Sequence, residues 1–278
     1  MHKYLIWTLP VLFLVGCLTV PSSSERLETA DRLARENGFT RTLIRTEPFL
    51  LTVYEKIREP GRPLRVYIEG DGYAFVTRSR VSWDPTPRDP LAFKLAALDR
   101  SPNIVYLARP CQYTSHEKDA ACDFPFWTNA RFSEEVICSM NAAVDSVVRK
   151  VQASGAELVG YSGGGAVAVL VAARRADVRS IRTVAGNLDP EGVNQYHGVS
   201  PLDGSLDPLE VAGAVKNIPQ IHFTGGADEV VPFLAVNNWS KSSGPGACLR
   251  TVSVRGADHG RGWVEAWPEL LGEPLPSC

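Results

Sequence analysis

The stretch that decides the fold runs Ala156-Glu157-Leu158-Val159-Gly160-Tyr161-Ser162-Gly163-Gly164-Gly165-Ala166-Val167-Ala168-Val169-Leu170. Its first part is a short apolar run of the kind that forms a buried strand, and its last part is a series of small residues able to pack as a helix close against a sheet. Between them Gly160-Tyr161-Ser162-Gly163-Gly164 matches G-x-S-x-G, in which the chain reverses sharply from strand to helix and holds the serine in a strained conformation. The alternative is a glycine-rich turn without chemistry, and the strand before and helix after weigh against it.

Outward from this turn, apolar β-branched runs alternate with helical patterns. Upstream lie a helix over Arg26 to Asn37, strands over Thr42 to Arg45, Phe49 to Lys56 and Leu64 to Glu69, with Glu59 to Arg62 as a turn, then a strand over Ile104 to Leu107 and a helix over Ser133 to Ala153. A hairpin feeding a buried strand is the simplest reading of the early part. Downstream come a helix from Gly164 to Arg175, strands over Ile181 to Ala185 and Gln220 to Thr224, a helix near Phe233 to Ser240, and a strand over Thr251 to Arg255. Such alternation predicts an α/β fold, a mostly parallel central sheet of about eight strands with flanking helices. Three long loops, Gly70 to Asp89, Pro110 to Asn129 and Asn187 to Pro219, leave carboxyl ends of strands, where open α/β sheets place their ligand crevice. No linker divides the chain, so 41–278 reads as one domain with a small cap or lid around 187–219.

These residues resemble the α/β-hydrolase superfamily from about Thr42 to Leu271, and the resemblance implies a nucleophile, an acid and a histidine in that order along the chain. Of the histidines after Ser162, His222 lies inside an apolar strand and reads as a satisfied core residue, and His197 lies in the long excursion. His259, in Gly256-Ala257-Asp258-His259-Gly260 after a terminal strand, is the candidate base; His116, upstream in a charged loop, reads as solvated. Thr224-Gly225-Gly226-Ala227-Asp228-Glu229-Val230-Val231-Pro232 is similar to the G-x-x-D-x-x-V-P stretch of this fold, which makes Asp228 the candidate acid and leaves Glu229 solvated. Asp189, after the preceding strand, is the alternative acid. Gly163 is the expected first oxyanion donor. The second is placed at Asp71 or Gly72 in Ile68-Glu69-Gly70-Asp71-Gly72-Tyr73, where relatives show His-Gly. Carboxylates beside an oxyanion are unfavourable, so Glu69 and Asp71 are expected to turn away or to hold the loop by hydrogen bonds. Phe124, Phe126, Trp127 and Phe132 read equally as crevice wall or as core.

No nucleotide-phosphate loop, dinucleotide fingerprint or histidine pair at metal-ligand spacing occurs in the sequence, so neither cofactor nor metal is expected. With 29 Lys+Arg against 31 Asp+Glu and no long run of one sign, nucleic acid is not an expected partner. The expected substrate is a small-molecule or lipid ester, cleaved through an acyl-enzyme. The alternatives are a serine peptidase or amidase of the same fold, and a non-catalytic envelope lipoprotein.

At the amino terminus Lys3 precedes an apolar stretch, Tyr4 to Gly16, too short to span a bilayer as a helix. Leu14-Val15-Gly16-Cys17 resembles the lipobox of bacterial lipoproteins, which implies a signal peptide over 1–16, lipidation of Cys17 and a tether with the first helix over 17–40. Leu18 after the cysteine implies outer-membrane delivery, facing the periplasm. The resemblance extends to bacterial envelope lipoproteins of the hydrolase fold. Export permits disulfides: Cys111 and Cys122 bracket a loop that a bond would stabilise by roughly 3 kcal/mol. Cys248 and Cys278 lie near the carboxyl terminus, and connectivity stays open at this stage. Cys138, in a helical pattern with Ile137, Met140 and Val144, is expected to be a buried, inert thiol.

Overall fold

Eight strands, β1 (Thr40–Arg45), β2 (Leu50–Ile57), β3 (Leu64–Ile68), β4 (Asn103–Leu107), β5 (Ala156–Tyr161), β6 (Val178–Val184), β7 (Gln220–Gly225) and β8 (Leu249–Val254), form one sheet in the order β1-β2-β4-β3-β5-β6-β7-β8. The computed structural model describes residues 20–114 and 118–278; the signal stretch 1–16, Cys17 and His116 lie outside the described residues. β1 pairs antiparallel with β2, β2 antiparallel with β4, and every later pairing is parallel. The early hairpin is therefore β1–β2, while β4 separates β2 from β3. A crossover of this kind is decided by packing between distant segments, and a turn over Glu59 to Arg62 does not reveal it.

Side-chain alternation along the central strands fills two cores. Val66 and Ile68 of β3, Val105 and Leu107 of β4 and Leu158 of β5 face one core, and Tyr67, Ile104, Tyr106 and Val159 face the other. The first is closed by α3 (Glu134–Val151), α4 (Gly163–Ala172) and α6 (Leu234–Ser243), which contribute Met140, Val144, Val167 and Trp239. The second is closed by α1 (Ser23–Asn37), α2 (Leu91–Leu98) and α7 (Trp263–Leu271), with Ala30, Phe93, Trp263 and Trp267. Burial on both faces is why these strands read as apolar runs with no polar alternation. Three helices have no counterpart in the sequence reading: α2, α7 and α5 (Pro190–His197), the last inside the expected cap or lid. α2 is apolar except for Lys94, which leaves no polar stripe to show the helical period, and α7 carries Pro268 inside it.

α1 begins with a capping box, in which Ser22 Oγ accepts from Glu25 N–H and the Glu25 carboxylate accepts from Ser22 N–H, and it ends at Gly38 in the left-handed region. The 187–219 excursion is partly ordered as α5 (Pro190–His197) and a short 3-10 turn at Pro208–Val211. Cys111 is bonded to Cys122 and Cys248 to Cys278, with Cα atoms 5.5 and 5.3 Å apart. Cys138 is exposed, which corrects the expectation of a buried thiol. The inward face of α3 is made by Val136, Ile137, Met140, Ala143 and Val144, and Cys138 falls on the opposite face one turn from Glu134, whose Oε1 accepts from its thiol. Apolar neighbours in sequence do not share a face at 100° per residue.

Candidate active site

β5 runs into α4 with a single residue between them, and that residue is Ser162, at φ 52° and ψ −122°. A non-glycine residue here carries a cost of about 1–3 kcal/mol that only a rigid surround sustains. The surround is visible: Ser162 N–H donates to Val184 O of the neighbouring strand, and Ser162 O accepts from Gly165 and Asn187 N–H. Two glycines permit the reversal. A Cβ on Gly160 would lie 2.2 Å from Gly164 O, and one on Gly164 would lie 2.3 Å from Ile68 O, so strand, turn and helix approach at backbone distance. All ten residues of α4 are buried.

His259 stands in the loop between β8 and α7, and Asp228 in the loop after β7. The two loops are joined by Ala227 N–H donating to Ala257 O and Gly226 N–H to Val254 O. His259 Nε2 lies 2.9 Å from Ser162 Oγ, and His259 Nδ1 lies 2.9 Å from Asp228 Oδ2. A carboxylate only accepts, so Nδ1 carries the proton and the Nε2 lone pair faces the serine hydroxyl. Asp228 is fixed in turn, since its Oδ1 accepts from Val230 and Val231 N–H and its side chain is 1% exposed. His259 O accepts from Tyr161 Oη–H and from Trp263 Nε1–H, which ties the base's backbone to β5 and α7. The structure thus brings Ser162, His259 and Asp228 together although they come from three separate loops.

Asp189 is not part of this arrangement. It caps α5, with Oδ1 accepting from Gly192 N–H and Oδ2 from Asn238 Nδ2–H, so both oxygens are committed away from His259. His222 is buried between Thr183 Oγ1 on Nδ1 and Gln220 Oε1 on Nε2, and burial pulls its pKa down to about 3. His197 ends α5 with Nε2 on Val230 O, and Glu229 is exposed.

Beside Ser162, the N–H groups of Gly163, Asp71 and Gly72 meet no acceptor among the described residues, which leaves three donors at the turn and at the loop after β3. A Cβ on Gly70 would lie 3.2 Å from Ser162 Cβ, so that loop abuts the serine. Glu69 and Gln112 hold Gly70 from two sides: Glu69 Oε1 accepts from Gly70 N–H, and Gln112 Nε2–H donates to Gly70 O. Glu69 Oε2 accepts from Tyr106 Oη–H, and burial raises the Glu69 pKa to about 7. Gly72, at φ 67°, has its Cα against Pro85 O, where a Cβ would be 2.0 Å away.

The Asp71 side chain does not turn away from the site. A Cβ on Gly163 would lie 2.0 Å from Asp71 Oδ1, so the carboxylate rests on that glycine. Its charge is held by Arg109 Nη1 at 3.3 Å and Arg131 Nε at 3.1 Å, two guanidiniums whose side chains are only 5% and 13% exposed. Both guanidiniums lie over the Phe132 ring, 5.2 and 5.3 Å from its centroid, and Arg109 also donates to Arg131 O. Sequence reasoning missed Arg109, Arg131 and Gln112; the available signal was a charged residue at once beyond the carboxyl end of β4. Phe126 packs on Phe49, and Trp127 is buried with its indole N–H on Ser82 O, so those two aromatics belong to the core.

No protein-family model matches the chain. No curated protein matches it in sequence. Solved structures are. Est1E from Butyrivibrio proteoclasticus superposes with a TM-score of 0.57 at 15% identity, over 83% of this chain and 97% of that one. The Pyrococcus furiosus esterase Pf2001 gives 0.60 at 12% identity over 86% and 90%. The acylaminoacyl peptidase of Pyrococcus horikoshii gives 0.60 at 12% identity over 83% of this chain but 38% of its own. At these identities the shared property is architecture, and together with the strand order it establishes that the chain has the α/β-hydrolase fold.

Proposed function

We propose that the protein is a lipid-anchored carboxylic ester hydrolase that works through an acyl-enzyme on Ser162. The observation that carries this reading is the unbroken relay of two 2.9 Å contacts from Ser162 Oγ through the imidazole of His259 to Asp228. In the first step His259 Nε2 takes the hydroxyl proton as Ser162 Oγ bonds to the ester carbonyl carbon. Asp228 stabilises the imidazolium that forms. Negative charge developing on the carbonyl oxygen is received by Gly163 N–H with Asp71 or Gly72 N–H, donors already oriented before the reaction. His259 then returns the proton to the departing alkoxide, leaving alcohol and acyl-serine. Water, deprotonated by the same imidazole, attacks the acyl carbon and releases the acid with the serine restored.

The lipobox-like Leu14 to Cys17 supports a position for this activity at the cell envelope, held at the outer membrane by acyl chains on Cys17 and facing the periplasm. Reaction with a fluorophosphonate tests the nucleophile, because only an activated serine is labelled at an appreciable rate. Labelling of the wild-type chain and none of Ser162→Ala is the expected pair of results. An unlabelled wild-type chain would instead favour an envelope lipoprotein without catalysis. Turnover of aryl esters over peptide anilides at matched concentration separates esterase from amidase, and faster anilide cleavage would reverse that assignment. Loss of membrane partitioning in Cys17→Ala tests the anchor.

A further inference from the structure

Among the described residues nine large apolar side chains are exposed, and six of them, Phe75, Trp83, Tyr196, Val199, Val230 and Phe233, stand on segments leaving the carboxyl ends of β3, β6 and β7. That is the end of the sheet at which Ser162 sits. Single exposed apolar residues are ordinary, but their concentration around one rim is not.

The β3 side of the rim has the most definite shape. Phe75 and Val81 bridge antiparallel, Ser82 N–H donates to Ala74 O and Val76 N–H to Arg80 O, making a small hairpin whose tip is Thr77 to Arg80. Trp83 follows it, 77% exposed yet edge-on to Phe124 at 4.9 Å, so the indole is braced at its base and bare at its face. From Gly72 to Trp83 there is no acidic residue, and the exposed guanidiniums of Arg78 and Arg80 meet no carboxylate among the described residues. Of the neighbouring acids, Asp71 is held by Arg109 and Arg131, Asp84 by Arg26 and Thr86 N–H, and Asp89 by Lys94; Asp123, exposed beside Phe124, accepts from Phe124 N–H, and Glu229 is exposed on the segment after β7.

The amino-terminal end of the described chain lies beside this hairpin. Ser22, Ser23, Ser24 and Leu27 line a cavity of about 600 Å³ together with Trp83. Four residues separate Cys17 from Ser22, five Cα steps with a reach of roughly 17 Å when fully extended. Acyl chains on Cys17, as proposed above, would leave the chain within that reach of the hairpin.

We infer that this rim is a membrane-docking surface for an anionic phospholipid bilayer, with Trp83 and Phe75 in the headgroup region, Arg78 and Arg80 on lipid phosphates, and the crevice opening onto esters carried in the membrane. The inference rests on the anchored-hydrolase reading above. An indole with one apolar face and a polar N–H suits the interface, and basic residues near an anionic surface add to attraction. A protein partner would not need the patch to coincide with the side from which the anchor leaves.

The test uses the full chain reconstituted in nanodiscs of phosphatidylcholine alone or mixed with phosphatidylglycerol, each with a headgroup-proximal doxyl lipid. Tryptophan emission is compared between wild type and Trp83→Phe, and the difference isolates Trp83 from the other indoles. Expected is a Trp83 component quenched by doxyl lipid, more strongly with phosphatidylglycerol. Arg78→Glu with Arg80→Glu should remove that lipid dependence, since each arginine contributes roughly fivefold to association with an anionic surface. A Trp83 component that lipid leaves unquenched while the chain remains on the discs overturns the docking surface but not the anchor, as does quenching that appears only when a second protein is added. A chain that does not co-purify with the discs overturns both. Turnover of soluble 4-nitrophenyl butyrate, expected unchanged in Trp83→Phe, reports separately on the hydrolase reading, because its absence in wild type would sink that reading whatever the quenching shows.

Discussion

Replacing Arg109 by Met probes the least expected part of the site, the clamp on Asp71. The Arg109 guanidinium is 5% exposed and shares the Asp71 carboxylate with Arg131, while Asp71 itself is a quarter exposed. Breaking a fully buried pair costs about 3–5 kcal/mol when one charge is left alone. Asp71 keeps Arg131 and some water, and Met fills much of the space over Phe132, so the expected loss of stability is about 1–2 kcal/mol, read from the urea midpoint. The larger effect should fall on catalysis. Asp71 rests on Gly163, so a carboxylate released from the clamp should let the adjacent N–H shift. Removing an oxyanion donor outright lowers kcat by about 10²–10³, so a donor that is loosened but still present should cost about 10–100-fold. KM for a neutral aryl ester should move by less than about twofold, because the contact strengthens only as charge develops on the oxygen. Asp71→Asn keeps the shape and the N–H but leaves two buried guanidiniums facing a neutral amide, so it should lose more stability than Arg109→Met and less kcat. A folded Arg109→Met enzyme with wild-type kcat would refute the idea that the clamp orients a donor.

Three further outcomes follow from individual contacts. Burial holds the Glu69 pKa at about 7, above the ordinary 4.5, so the folded chain binds more protons than the unfolded one between those values. Stability should therefore fall as pH rises from about 4.5 to about 7, by up to about 3 kcal/mol, and Glu69→Gln should flatten that part of the curve in urea titrations; a wild-type profile already flat there would contradict the assignment. Gly164→Ala would put a methyl 2.3 Å from Ile68 O, and since backbone cannot yield cheaply we expect a loss of about 1–3 kcal/mol and a displaced serine, checked by denaturation and labelling rate. Hydrogen bonding to Glu134 raises the exposed Cys138 thiol's pKa, so maleimide should modify it slowly, faster in Glu134→Gln, with esterase activity intact in both.

Much of the chemistry was legible because it is written locally. Ser162 announces itself through five consecutive residues, Asp228 and His259 through short loops after strands, and their order along the chain supplies the rest. The parts that stayed hidden are those decided by distant segments meeting. Arg109 and Arg131 lie far from Asp71 in sequence, and nothing near either residue signals that a carboxylate will be delivered between them. The insertion of β4 between β2 and β3 is likewise a matter of crossover packing. α2 was obscured for the opposite reason, since a helix whose one polar residue is Lys94 lacks the polar stripe by which helices are recognised. Asp189 illustrates a third limit: an acid placed correctly along the chain for catalysis was already engaged as the cap of α5.

The central claim is that Ser162 becomes acylated because His259 removes its proton. Rapid quenching of a reaction with 4-nitrophenyl acetate, followed by digestion and peptide mass mapping, tests it directly. We predict an acetyl group on the peptide containing Ser162 in the wild-type chain and none in His259→Ala. Turnover without acetylation of Ser162, or an acetyl group found on another residue, would contradict the account.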